Sequence, residues 1–318
     1  MSLIGLILLA QAAVWACEDE HPPAVTTPVV ERSLVDADGQ EVVQMQFDPR
    51  GLSKIRTVDE IAPTLTRGGD NSSVWDYREW QWWKGHPWGD SCRPRYWTKA
   101  DFLHEQRDVA IRFDIDGFSC EQRFLLPQHV DANAPHWDVV VSIRNDLGTD
   151  VEEYHQFFAC YTAFNSPNSC WFWADENRLR KFSEFGVQHL DGYAVHPDAF
   201  YLDRGAIPHC PRGDGKIVAT WYRPLLVSHP SPAGWRSIIM VEAKYAASLA
   251  QGIRGAAMDY ILFPGPDVQK FADGAKFSVQ VRHQLINSHE LPAVEDLQRL
   301  WQAFEASHAT IHQLAESK

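Results

Sequence analysis

The 318-residue chain contains no Cys-x-x-Cys pair, so a zinc ribbon or a thioredoxin-type redox site has no support. It has no Gly-x-Ser-x-Gly elbow, no P-loop and no Gly-x-Gly-x-x-Gly turn, and three common enzyme classes therefore lack their signature. No apolar run reaches the about 20 residues that a membrane-spanning helix needs. Helical patterns between strands are missing, which argues against parallel βαβ architecture. Repeats of fixed period and low-complexity segments are absent too. Basic residues are scarce: 29 Lys and Arg against 42 Asp and Glu give a net charge of −13. Phosphate backbones attract basic surfaces, so nucleic acid is disfavoured as a partner.

Tryptophan is abundant. There are 13 in the chain, and six lie between Trp75 and Trp97. Trp offers a flat apolar face with one N–H donor, which suits stacking on sugars and also suits large β cores. The apolar share of 45% and charged share of 22% are those of a globular protein with a sizeable core.

The apolar run Leu3 to Ala16 has the length of a signal-peptide h-region, with small residues before Cys17. Residues 1–16 are therefore expected to be a signal peptide and the protein to be exported, with Cys17 a candidate lipid anchor. Export would permit disulfides. Cys160 and Cys170 stand close enough in sequence to clip a hairpin, and free buried thiols are the alternative.

Most of the chain reads as β. Thr26–Leu34 and Glu41–Phe47 flank Asp36-Ala37-Asp38-Gly39; Asp108–Phe113 and Phe118–Leu125 flank Asp114-Ile115-Asp116-Gly117. Asp-Gly between alternating apolar runs is a strong hairpin signal. Further strands are expected at Trp137–Arg144, Glu153–Phe164, Ile217–Arg223, Ser237–Lys244, Met258–Phe263 and Lys276–Ile286. Thr66–Pro94 and Ser183–Gly215 read as loop-rich. From about Pro292 to Leu314, apolar residues recur at helical spacing. The expectation is a mostly β protein: a large antiparallel β-sandwich over 24–290, with a carboxy-terminal amphipathic helix over 291–318 packed on it.

Four constellations carry candidate chemistry. His155 interrupts an apolar strand, as a satisfied core histidine or as an acid. Glu242 ends the apolar run Ile238–Val241. On a buried face desolvation would raise its pKa toward that of a working base, and on an edge strand it would face water. The segment from Val74 to Trp97 mixes Trp80, Trp82, Trp83 and Trp88 with Arg93 and Arg95, a combination suited to stacking on sugar rings and gripping carboxylate or sulfate groups. Trp80 and Trp82 alternate and would share a strand face, with Trp83 opposite. His189, His196 and His209 fit no standard zinc spacing, and neither a metal nor a cofactor is expected.

Three stretches resemble the galactose mutarotase-like (aldose 1-epimerase-like) supersandwich superfamily. They are the strand–turn–strand unit Val139–Asn165 with its histidine, the strand Ser237–Ala243 ending in a Glu, and Tyr260-Ile261-Leu262-Phe263-Pro264-Gly265 leading to the strand Lys276–Leu285. The resemblance implies a supersandwich fold and a sugar-ring site with His155 as acid and Glu242 as base. His86 is the positional candidate for an early histidine. His155-Gln156-Phe157-Phe158 keeps the histidine and aromatics but lacks the following Asn of that pattern. The expected function is acid–base proton transfer on a sugar, with Trp82 or Trp88 stacking on the ring and Arg93 and Arg95 orienting an acidic group. Two alternatives stand beside it. One is a polysaccharide lyase acting beside a uronate carboxylate, for which Tyr201 and His196 are the places to look. The other is a non-catalytic glycan-binding protein.

Overall fold

The turn at Asp36–Gly39 follows from its residues. The Asp36 carboxylate accepts from the backbone N–H groups of Asp38 and Gln40 at 3.0 and 2.8 Å, an Asx-type closure. Gly39 takes φ +79°, which a side chain would resist. The strands on either side pair antiparallel as a hairpin.

The computed structural model describes residues 29–48, 51–57, 75–83, 101–105, 107–115, 117–151, 155–162, 170–181, 184, 201–203, 221–231, 233–251, 257–262 and 270–317. Its first strands are β1 (Val30–Val35), β2 (Glu41–Asp48), β3 (Gly51–Thr57), β4 (Trp75–Trp83), β5 (Asp101–Glu105) and β6 (Asp108–Ile115). Next come β7 (Phe118–Leu125), β8 (His136–Asn145), β9 (His155–Thr162), β10 (Trp171–Asp175), β11 (Arg178–Lys181) and β12 (Tyr201–Asp203). The last are β13 (Arg223–Val227), β14 (Trp235–Val241), β15 (Ala246–Gln251), β16 (Ala257–Leu262) and β17 (Lys276–Asn287), followed by helix α1 (Val294–Glu316).

The strands form two sheets. One has eight strands in the order β1-β2-β3-β4-β9-β16-β15-β12; the other has nine, in the order β11-β10-β13-β14-β17-β8-β7-β6-β5. The expected mostly β supersandwich with a carboxy-terminal helix is the fold observed. Between the sheets lies one apolar core that includes Phe47, Phe124, Trp137, Val141, Ile239, Tyr260 and Val281. A second apolar cluster lies on the other side of the nine-stranded sheet, where Leu297, Trp301 and Phe304 of α1 cover Trp173, Leu225, Val227, Ile238 and Met240. The two clusters explain why β14 is buried at every position. Ile239 and Val241 face the other sheet while Ile238 and Met240 face the helix, so alternation does not separate wet from dry. The helix carries Glu295 and Asp296 in its first turn, where acids complement the helix dipole. Burying each large apolar side chain beneath it contributes roughly 1.5–3 kcal/mol.

Asn145 fastens one end of the sandwich. It is fully buried, donates to the carbonyls of Thr149 and Phe271 at 2.9 Å each, and accepts from the Leu147 amide. The Asn-bearing turn after β8 thereby holds the bridge between Val151 and Phe271.

Several expectations need correction. The loop-rich stretch Thr66–Pro94 contains β4, and Ser183–Gly215 contains β12. Of the strand expected over Ile217–Arg223, residues 217–220 lie outside the described residues, and the described strand there is β13, Arg223–Val227. The helix expected from about Pro292 is observed from Val294, with Ala293 as its N-cap. Glu242 is not on an edge strand, because β14 lies between β13 and β17. The strands β3, β5, β10, β11 and β15 carried no sequence signal. The strands β5, β10 and β11 are short, and register shifts in β3, β10 and β15 break the two-residue period on which such a reading depends.

Candidate functional site

The aromatic strand β4 sits in the middle of the eight-stranded sheet, paired with β9. Its sequence WDYREWQWW suits a strand, since aromatic residues pack well on a pleated surface. A register shift between Asp76 and Glu79 sets which residues fall in which row.

Cross-strand partners share a sheet face, so the pairings assign rows. Trp82 pairs with Gln156, and Gln156 with Leu262; Leu262 belongs to the inter-sheet core. Trp80 pairs with Phe158, and Phe158 with the buried Tyr260. Trp80 and Trp82 thus fall in the core rows. Trp83 pairs with His155, and this pair falls in the alternate rows, on the outer face of the sheet. The expected split of Trp80 and Trp82 from Trp83 is seen in the register.

The outer rows continue across five strands. One runs Glu79, Ala159, Asp259, Ala250, Tyr201; the next runs Gln81, Phe157, Ile261, Ser248, Asp203. Neighbouring strands stand about 4.8 Å apart, and alternate residues along a strand about 6.8 Å. On the outer face Trp83 and His155 are direct neighbours, while Tyr201 and three carboxylate residues occupy rows and strands about 14–20 Å from His155. The sequence reading favours Trp82 over Trp83 for stacking, and only the register distinguishes them.

Glu242 stands elsewhere. It follows β14 in the nine-stranded sheet, on the side covered by α1. Its carboxylate accepts from His312 Nε2 at 2.9 Å and from the Gln280 amide at 3.1 Å. Burial pushes the carboxyl up. The hydrogen bonds from His312 and Gln280, with the attraction of His312 and His308, outweigh that, and the net shift is downward. Desolvation does not make this group a base with a raised pKa.

The surroundings of Glu242 form a continuous polar seam. Gln280 donates to Asp138 at 2.6 Å and to Ser307 at 3.0 Å, and its carbonyl oxygen lies 2.5 Å from His308 Nδ1. Arg282 grips Asp138 through two bonds of 2.9 Å and reaches Ser307 at 3.0 Å. The His308 pKa is lowered, first by burial. The seam fastens the carboxy-terminal turns of α1 to β8 and β17.

The structure does not bring His155 and Glu242 together: they belong to different sheets, and Glu242 is engaged on the face turned away from the eight-stranded sheet. His86, Trp88, Arg93, Arg95 and His196 lie outside the described residues. Among the described residues no group of three or more His, Cys, Asp or Glu could hold a metal ion. Among them, too, no helix is long and apolar enough to cross a membrane.

No protein-family model matches the chain, and no curated protein matches it. Among solved structures it is similar to a provisionally assigned aldose 1-epimerase of Escherichia coli K12, with TM-score 0.43 and 10% identity over 81% of this chain and 99% of that one. It is also similar to the GalM/aldose epimerase homologue of C. elegans, with TM-score 0.38 and 10% identity over 82% and 100%. A third is the galactose 1-epimerase of Lactobacillus acidophilus NCFM, with TM-score 0.38 and 12% identity over 83% and 100%. The similarity to these galactose mutarotase-like structures is distant.

Proposed function

We propose that this protein binds a carbohydrate on the outer face of the eight-stranded sheet, and that His155 moves a proton on the bound sugar. The observation that carries this is the register pairing of Trp83 with His155. An indole is the side chain best suited to stack on the apolar face of a sugar ring. An imidazole is the side chain whose ordinary pKa fits proton transfer near neutrality. Asp203, Asp259 and Glu79 lie in the next two outer rows, about 14 Å or more from His155 at sheet spacings, so they supply acceptors for the hydroxyls of a longer glycan and not a partner base for His155. Trp88, Arg93 and Arg95 remain candidates for extending the site.

The test is anomer exchange of galactose and glucose followed by NMR, with binding measured alongside. His155→Asn should lose about 10²-fold or more of any acceleration, the usual size of an acid–base contribution, while binding persists. Exchange at the uncatalysed rate with the wild-type protein, for every sugar that binds, would remove the catalytic half of the proposal.

One observation favours a second reading, a non-catalytic glycan-binding protein. Glu242, the base that the mutarotase-like resemblance implies, is held by His312 and Gln280 in the helix seam. A sandwich that keeps a stacking Trp without that acid–base pair would bind and not turn over. Binding that needs Trp83 but not His155 would select this reading.

A further inference from the structure

A second feature lies at the open edge of the sandwich, away from both the outer face and the helix seam. Here β1, the edge strand of the eight-stranded sheet, meets the turn between β5 and β6 at the edge of the nine-stranded sheet. A cavity of about 260 Å³ opens between them, lined by Arg32, Ser33, Val35, Arg107 and Leu126. Its size is just below the about 300–1,000 Å³ of pockets for drug-sized ligands, and suits one small group.

Arg32 occupies an unexpected row. It pairs with Met45 and is flanked in alternation by Val30 and Leu34, all three buried in the inter-sheet core. A guanidinium in an apolar row is costly unless it has partners. Its partners are main-chain oxygens: Arg32 Nε donates to the Arg107 carbonyl at 3.2 Å and NH1 to the Glu31 carbonyl at 2.8 Å. Arg107 is held in the same way, NH1 donating to the Gln128 carbonyl at 2.9 Å and NH2 to the Pro127 carbonyl at 2.6 Å. The first of these bonds links the two arginines directly.

Carbonyls orient a guanidinium without neutralising it. Among the described residues neither arginine makes an ion pair with a carboxylate. Two nearby acids are engaged otherwise: Glu41 accepts from Ser33 and Gln44, and Asp108 accepts from the Leu126 amide at 3.1 Å. Two fixed positive charges therefore face one small cavity, and among the described residues four of their ten N–H groups have side-chain or main-chain acceptors, in a protein whose net charge is −13. Paired guanidinium forks match the oxygens of carboxylate, sulfate and phosphate.

We propose that Arg32 and Arg107 form an oxyanion-binding site, which takes either a free inorganic anion or the acidic group of a sugar such as a uronate. Val35 and Leu126 form an apolar wall beside it, suited to the non-ionic part of the ligand. The site is separate from the outer face of the eight-stranded sheet and does not depend on the function proposed for that face.

The test follows the side-chain N–H resonances of Arg32 and Arg107 in the full chain at low ionic strength. Inorganic sulfate, inorganic phosphate, glucuronate and, as a neutral control, galactose are titrated separately. At least one anion should shift both resonances saturably, and galactose should leave them in place. Glucuronate alone binding identifies the acidic sugar as the source, and the inorganic anions alone binding identify a free anion. Arg32→Gln should weaken binding about tenfold or more, the loss expected for a charge-assisted contact. If that variant does not fold, the wild-type titration still decides. No saturable shift with any anion, an equal response to galactose, or full affinity in a folded Arg32→Gln protein would overturn the site. Arg32 would then be an inward-pointing charge that protects a sheet edge from pairing.

Discussion

Glu242→Gln separates a catalytic carboxylate from one that fastens a helix. The Glu242 side chain is 13% exposed, and its Oε2 accepts both the His312 and the Gln280 bonds. A hydrogen bond to a charged group contributes about 1.5–3 kcal/mol, against about 0.5–1.5 for a neutral pair. Gln keeps an acceptor of the same shape, so each of the two bonds should lose about 1 kcal/mol at most, giving a destabilisation of about 1–2 kcal/mol. The loss should depend on pH. The folded-state pKa of Glu242 is lowered, so its contribution is present above the ordinary carboxylate range and is lost as pH falls through the folded value. Urea unfolding at pH 7 should therefore show the full difference between wild type and variant, and the difference should shrink below about pH 4. Carbohydrate binding and any turnover should be unchanged in the folded variant. Turnover abolished by Glu242→Gln at unchanged stability would refute this reasoning and restore the carboxylate to the reaction.

Removing one partner of the Arg282–Asp138 pair should cost more. Their side chains are 9% and 6% exposed, and Asp138→Ala should destabilise by about 3–5 kcal/mol in urea unfolding, whereas Asp146→Ala at the exposed Arg144 pair should change stability far less, because solvent screens that pair. Trp83→Ala should weaken sugar binding with little change in melting temperature, and Trp82→Ala should do the reverse; calorimetry and a binding titration on both variants decide it. His308 has a lowered pKa, so the unfolded chain binds more protons than the folded one below about pH 6.5. Stability should fall there as pH drops toward the folded value, and His308→Gln should flatten that part of the urea-midpoint profile. Gly117→Ala should destabilise by more than about 1 kcal/mol, because Gly117 has φ +87° and an added Cβ would lie 2.5 Å from Leu147 Cδ2.

The sequence by itself determined the elements whose signals are local. Asp36–Gly39 and its flanking strands are readable because Asp and Gly close a turn within a few residues. The stripe through Leu297, Trp301 and Phe304 is readable because helical spacing is a property of neighbouring positions. The shortage of Lys and Arg, the missing motifs and the cluster of Trp are likewise facts of composition. His155 and the aromatic strand were legible as candidates for the same reason. Everything that depends on register or on distant partners was not. Whether Trp82 or Trp83 accompanies His155 depends on how β4 pairs with β9, and a slip of one residue exchanges the two faces. Glu242 reads equally well as a base, a buried acid or a surface residue until His312, 70 positions later, is folded back onto it. Arg32 and Arg107, 75 positions apart, show no pattern in one dimension, because their common environment is made only where the edges of two sheets meet. Burial, pairing and charge compensation belong to the space around a side chain, and tertiary packing alone fills that space.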